Sequence, residues 1–238
     1  ARDGATALLT RARSIDDGVE WSGSNDIISG NAGAGLFLLQ VGRRWKEKKL
    51  IGLAERAGRR LLARGIPTNG GLMWMPGGSI TRNYPNFSHG TSGVAYFLAT
   101  LGQETGEKAF VKGALDGVKY LDSVATRKNG GTAIFHMSDG GEDRYYLSWC
   151  HGPVGTARLF YRLHKMTGEA QWTDWVDSLT KAVLDSGVPE QRTSGFWNNI
   201  SQCCGNIGIG QYTIDLARYH RTPAISGYRE RIVQDTLR

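Results

Sequence analysis

Cysteine is scarce in this chain: three residues in 238, Cys150, Cys203 and Cys204. Nothing at the amino end has the basic, apolar and small-residue order of a signal peptide, and an odd, sparse set of thiols argues against a disulfide framework. Cys203 and Cys204 are neighbours, so a bond between them would need a strained ring and would crosslink nothing. No apolar run is long enough to cross a bilayer, so a cytoplasmic protein without a membrane span is expected. Excess charge is modest, +7 with a pI near 9.4. The cations fall at helical spacing, as in Arg43, Arg44, Lys46, Lys48, Lys49 and Arg56, Arg59, Arg60, Arg64. That pattern reads as the solvated face of a helix, with attraction of an acidic peptide as the alternative; no nucleic-acid partner is expected.

What the chain has in abundance is glycine, 33 residues, and its placement marks a repeat. Gly-x-x-Gly recurs at Gly30/Gly33, Gly90/Gly93, Gly152/Gly155 and Gly205/Gly208, in steps of 60, 62 and 53 residues, and each copy opens an apolar run such as Val94-Ala95-Tyr96-Phe97-Leu98. Between the copies lie stretches of helical period, residues 50 to 64, 107 to 126 and 170 to 187; in the last, Trp172, Trp175, Val176, Leu179 and Val183 share a face. Each unit reads as a helical hairpin with an apolar inner and a charged outer helix. A second regularity precedes each Gly-x-x-Gly: an aromatic residue, then a polar loop. Its copies are Val19-Glu20-Trp21, Leu72-Met73-Trp74, Ala133-Ile134-Phe135 and Gly195-Phe196-Trp197. The pattern predicts an all-α array of hairpins whose loops gather on one face, where helix amino termini favour anions or thiolates.

All three thiols stand on these turns, in Ser148-Trp149-Cys150-His151-Gly152 and Ser201-Gln202-Cys203-Cys204-Gly205. Equivalent turns should aim their side chains at a shared centre, so Cys150, Cys203 and Cys204 are candidate ligands at three corners of a tetrahedral zinc site, with the fourth left for water or substrate. Buried, inert thiols are the plainer alternative. His89 and His151 hold the matching place before Gly90 and Gly152; each is a fourth ligand, an acid/base group or a helix cap, with proton transfer favoured for His89 and a structural role for His151.

The order Trp149-Cys150-x-Gly152-x-x-Gly155, then Cys203-Cys204-Gly205-x-x-Gly208, with Asp26-Ile27-Ile28-Ser29-Gly30 and His89-Gly90-Thr91-Ser92-Gly93 upstream, resembles the lanthionine cyclases, the LanC or LanC-like family. The resemblance covers nearly the whole chain. It implies an α/α toroid of seven hairpins holding one zinc ion, which adds a peptide cysteine to dehydroalanine or dehydrobutyrine and so closes a thioether ring. It implies a dehydrated, cysteine-containing precursor peptide as substrate and a dehydratase domain or partner. Cys150 and Cys203 match the family's cysteine ligands. Cys204 stands where histidine is commoner, as in a three-thiolate subset with a more electron-rich metal. His89 and Asp26 match polar residues given acid/base or positioning roles. The family's basic residue just before the first cysteine has no clear counterpart, Arg144 being the nearest.

About four of the seven repeats are visible, whereas a closed ring needs on the order of 350 to 400 residues. Residues 1 to 238 are therefore read as one incomplete toroid domain, either a fragment or a short open member. Three other readings stay open: a LanC-like enzyme that adds glutathione, a zinc-dependent thiol prenyltransferase, and a noncatalytic helical scaffold.

Overall fold

The computed structural model describes residues 1–191, 199–218 and 222–237. The chain forms two compact units, Ala1–Ser123 and Val124–Arg238. In the first, helix α1 (Arg2–Arg11) leads to strands β1 (Arg13–Ile15) and β2 (Gly18–Glu20) and to the helix pair α2 (Asn31–Trp45) and α3 (Lys48–Ala63). The order repeats with β3 (Ile66–Thr68), β4 (Gly71–Met73), α4 (Thr91–Thr105) and α5 (Lys108–Ser123). In the second unit, β5 (Ala125–Lys128) and β6 (Gly131–Ile134) precede α6 (Pro153–Thr167) and α7 (Ala170–Leu184), and α8 (Asn206–Ala217) precedes α9 (Pro223–Thr236).

The expected hairpins of helices are thus present, each opening two residues before the second glycine of its turn. The links inside three of them share one device. Lys46, Gly106 and Gly168 take a left-handed conformation, with φ of 58°, 76° and 72°, and each is followed by a glutamate: Glu47, Glu107 and Glu169. A left-handed residue ends the first helix and reverses the chain. The first helix is the more apolar in three of the four pairs, and α4 buries Val94, Ala95, Phe97, Leu98, Ala99 and Leu101. In the third pair the expectation of an apolar inner and a charged outer helix is reversed, α7 being more apolar than α6. Close packing also shapes α3, where a Cβ on Gly58 would sit 2.4 Å from Leu101 Cδ2.

Short antiparallel ribbons, β1–β2, β3–β4 and β5–β6, stand just ahead of the aromatic residues, where no strand was expected, and β5 takes Ala125 and Thr126 from the stretch of helical period over residues 107 to 126, since α5 ends at Ser123. Each is closed by two residues, and in the third Asn129 and Gly130 take the positive φ values, 51° and 79°, that such tight turns require. Each ribbon packs on the second helix of the neighbouring pair, β2 on α3, β4 on α5 and β6 on α7. Glu20, on β2 and largely buried, is compensated by Arg60 at 3.1 Å and Arg64 at 3.4 Å from α3. The aromatic residue after the second strand now has a structural reason. The Trp21 indole N–H donates to Leu8 O and that of Trp74 to Leu61 O, both at 2.7 Å, so each tryptophan satisfies a carbonyl near the end of a helix thirteen residues earlier. The fourth copy, Gly195-Phe196-Trp197, lies outside the described residues.

The Gly-x-x-Gly turns are built for close approach of backbone to backbone. Gly30, Gly90, Gly152 and Gly205 are the N-caps, all with extended φ and none with a side-chain cap. A Cβ on Gly90 would lie 1.4 Å from Tyr84 O, and one on Gly205 1.9 Å from Asn199 O, because the preceding loop crosses directly over the helix start. The loop's carbonyls take up first-turn amides: Asn31, Ala32 and Gly33 donate to Ser24, Asn25 and Asp26, Ser92 donates to Pro85, and Asn206 to Asn199, each seven residues back. These helix ends are therefore closed by the chain itself. The expectation that their amides would serve an anion is not met there, since those N–H groups are already paired.

Candidate functional site

In the first unit the loop crossing over α2 carries Asp26, whose side chain is fully buried. Its Oδ1 accepts from the amides of Ser29 at 2.7 Å and Ile28 at 3.1 Å, and the Ser29 hydroxyl lies 3.2 Å from both carboxylate oxygens. Its Oδ2 is 2.8 Å from His89 Nδ1. The loop before α4 brings His89 here, and the Ile27 amide fastens the two loops together by donating to Ser88 O at 3.2 Å. Burial by itself would raise the Asp26 pKa, but the His89 ring, the Ser29 amide and the Ser29 hydroxyl together hold it below the usual carboxylate range. An ionised Asp26 can only accept from the ring, so the contact places the proton on His89 Nδ1. Gly90, not His89, stands at the N-cap of α4.

The second unit collects the thiols. Cys150, Cys203 and Cys204 offer sulfur atoms that all lie within 4.8 Å of one another. The Cys150 amide donates to Cys203 O at 3.1 Å, which locks the turn before α6 to the turn before α8. Cys150 Sγ is 3.3 Å from Cys204 Sγ and 3.3 Å from the buried Ser148 Oγ, while the Cys204 amide donates to Ser201 Oγ at 3.1 Å. Cys150 is buried, Cys204 half-buried and Cys203 exposed. Burial pushes the Cys150 thiol up, and burial with the two neighbouring sulfurs pushes Cys204 up strongly. The crowded sulfurs, with the Cys150 and Cys204 thiols hard to ionise, are poor nucleophiles on their own and a fitting donor set for a soft cation, whose charge offsets the cost of ionising them together. The exposed side at Cys203 gives such a site an open approach.

His151, next to Cys150, packs its ring edge-on against His136 at 4.5 Å, and His136 packs on Tyr146 at 4.4 Å. Burial, then the charge of Arg144, lowers the His136 pKa to about 4, so this ring is neutral at physiological pH. Arg144 itself is exposed and gives its carbonyl to the His136 amide at 2.8 Å. The structure thus brings together the three predicted thiols in one unit and Asp26 with His89 in the other. Sequence reasoning missed Ser29, Ser148, Ser201 and His136. The serines had a visible signal, since Asp26-x-x-Ser29 and Ser201-x-x-Cys204 have the spacing at which short side chains bond to nearby backbone.

A family model described as lanthionine synthetase C-like protein matches residues 4–236. No curated protein matches the chain by sequence. Among solved structures the chain is similar to nisin cyclase, with a TM-score of 0.66 and 17% identity over 87% of this chain and 54% of that one. It is also similar to an alpha-1,6-mannanase from Salegentibacter sp. HEL1_6, with a TM-score of 0.60 and 15% identity over 91% and 63% of the two chains. A family-76 glycoside hydrolase from Bacteroides thetaiotaomicron gives 0.51 and 16% over 63% and 42%. The chain thus spans about half the length of nisin cyclase. The fold is all-α and of the α/α toroid class, a framework that serves a cyclase and sugar hydrolases alike, so the chemistry has to be read from side chains.

Proposed function

Since the chain belongs to the lanthionine synthetase C-like family, we propose that it is the cyclase part of an enzyme that adds a peptide cysteine to dehydroalanine or dehydrobutyrine, closing thioether rings with the help of zinc. The observation that carries this reading is the convergence of all three thiols of the chain within 4.8 Å. Glycoside hydrolysis calls instead for two carboxyl groups flanking a bond, whereas the thiols here stand as a set and Asp26 is committed to its own loop and to His89.

Cys150, Cys203 and Cys204 would hold zinc, which when bound lowers the pKa of a substrate thiol so that it is a thiolate at neutral pH. The Ser148 hydroxyl and the Ser201 contact to the Cys204 amide hold the thiols in place. As the substrate sulfur bonds to the β-carbon, the alkene electrons move onto the neighbouring carbonyl and the α-carbon must then take a proton. His89 delivers it from Nε2, and Asp26 stabilises the positive charge the ring carries before it does so. The substrate is a dehydrated precursor peptide, and a dehydratase domain or partner supplies the alkene.

The test uses the full-length protein purified without chelators. About one zinc per chain is expected by elemental analysis, lost in Cys203→Ala and kept in His89→Asn. With a dehydrated peptide bearing one cysteine, thioether closure is read as loss of alkylation by iodoacetamide, and His89→Asn should slow it by about 100-fold or more. Absence of zinc would remove the metal from the reading, and transfer of free glutathione in preference to ring closure would replace the substrate.

A further inference from the structure

The segment Arg43–Arg64 carries nine of the chain's 29 cations and two of its 22 acids, so the whole net charge of +7 resides there. Several of these cations are spent inside the unit: Arg43 on Glu104, Arg59 on Asp17 and Glu107, Arg60 and Arg64 on Glu20. Lys49 and Arg56 take part in none of the ion pairs among the described residues. Arg56 is held in place by uncharged oxygens, donating to Ser14 Oγ at 2.8 Å, Gly18 O at 2.9 Å and Asp17 O at 3.5 Å. A guanidinium so fixed keeps its full charge and has N–H donors left over.

Both residues face a groove of about 540 Å³ between α3, β1 and the end of α1. Lys49, Gly52, Leu53 and Arg56 form one stripe along α3, and Leu9 and Ala12 make the apolar opposite wall. Gly52 is the unusual member. A glycine inside an exposed helix costs about 1 kcal/mol relative to alanine, and the other interior glycine of α3, Gly58, is accounted for by its contact with Leu101 and Phe110. A Cβ on Gly52 would meet nothing within 4 Å. Packing within the described chain therefore gives no reason for it. Its effect is to keep the groove floor level with the helix backbone.

We propose that this groove docks an acidic peptide segment whose carboxylates meet Lys49 and Arg56 while an apolar side chain lies over Gly52 between Leu53 and Leu9. A peptide suits it better than a nucleic acid, because Glu55 lines the same groove and would oppose a continuous row of phosphates. The inference is independent of the thiol chemistry, since docking is read without any reaction.

The probe is a short fluorescein-labelled peptide of alternating glutamate and leucine, without cysteine, titrated against the full-length protein by fluorescence anisotropy. Saturable binding is expected. It should weaken severalfold in Lys49→Glu and about tenfold or more in Gly52→Leu, which fills the floor while leaving every charge in place. Raising the salt to about 1 M, where the screening length falls to about 3 Å, should weaken it further. Thermal melting of Gly52→Leu at or above the wild-type temperature shows that the variant is folded. Unchanged binding by Gly52→Leu would reduce the effect to diffuse attraction and overturn the proposal. So would equal binding of a glutamine–leucine peptide, stronger competition by single-stranded RNA of equal charge, or no binding at all.

Discussion

Replacing Asp26 by asparagine changes one atom's chemistry in a pocket that offers only donors to it. The carboxylate accepts from the Ser29 and Ile28 amides, from the Ser29 hydroxyl and from His89 Nδ1. An asparagine can keep Oδ1 on the two amides only by turning its NH2 group toward His89. The ring must then present a lone pair at Nδ1 and move its proton to Nε2, the wrong tautomer for a residue that cycles through the imidazolium. Loss of one charge-assisted hydrogen bond costs about 1.5–3 kcal/mol. At about 2–4 °C per kcal/mol for a chain of this size, the melting temperature should fall by roughly 3–12 °C. Loss of the ring's orientation and of its cationic form should lower ring closure by about 100-fold or more, with zinc content unchanged. The pH dependence carries the sign. Because the folded-state pKa of Asp26 lies below its ordinary value, its contribution to stability is fully present above about pH 4 and is lost as the pH falls through the folded value. Asp26→Asn should remove that part of the acid-side loss. Metal analysis, single-turnover rates and urea melts between pH 3 and 7 separate these effects, and a wild-type rate in Asp26→Asn would refute the assignment of Asp26 to the His89 proton.

Gly90→Ala should cost more than about 4 kcal/mol or prevent folding, because its Cβ would lie 1.4 Å from Tyr84 O, whereas Gly227→Ala in α9, where nothing lies within 4 Å, should be neutral or stabilise by up to about 1 kcal/mol; urea unfolding of both variants checks the contrast. Lys46→Gly should stabilise by about 1 kcal/mol, since Lys46 holds the left-handed position that Gly106 and Gly168 fill in the other links; a lower midpoint would show that the lysine is held there by something other than its backbone. His136, with a folded pKa of about 4 against an ordinary 6.5, should make the protein lose stability as the pH falls from 6.5 toward 4, by at most about 3 kcal/mol. His136→Phe should flatten that slope in melts followed across the same range, and an unchanged slope would place the titration elsewhere.

The hairpins of helices were legible because each Gly-x-x-Gly precedes an apolar run and each second helix keeps a 3.6-residue period. The thiol cluster was legible because its members sit at matching places in two such turns. The ribbons were not read, although Asn69-Gly70 and Asn129-Gly130 are two-residue turn signals. Their strands of three or four residues are too short to show alternation, so turn chemistry was the only clue. The role of Trp21 and Trp74 escaped for another reason: a side chain that donates to a carbonyl thirteen residues earlier leaves no local pattern. Ser29 and Ser148 were passed over because their importance depends on which sulfur or carboxylate the backbone brings beside them.

In all four turns the N-cap is a glycine, with no side chain of its own to cap the helix, and at α2, α4 and α8 backbone carbonyls from the preceding loop take up first-turn amides. The position before the first glycine is consequently exempt from the usual demands of helix initiation, and it holds Ser29, His89, His151 and Cys204 in turn. Each turn behaves as a socket with a fixed mount and a replaceable fitting. A lineage could try a thiol, an imidazole or a hydroxyl there without disturbing the start of the helix, so selection on chemistry and selection on helix initiation act on separate residues. The same separation makes these positions the natural places to install new ligands by design.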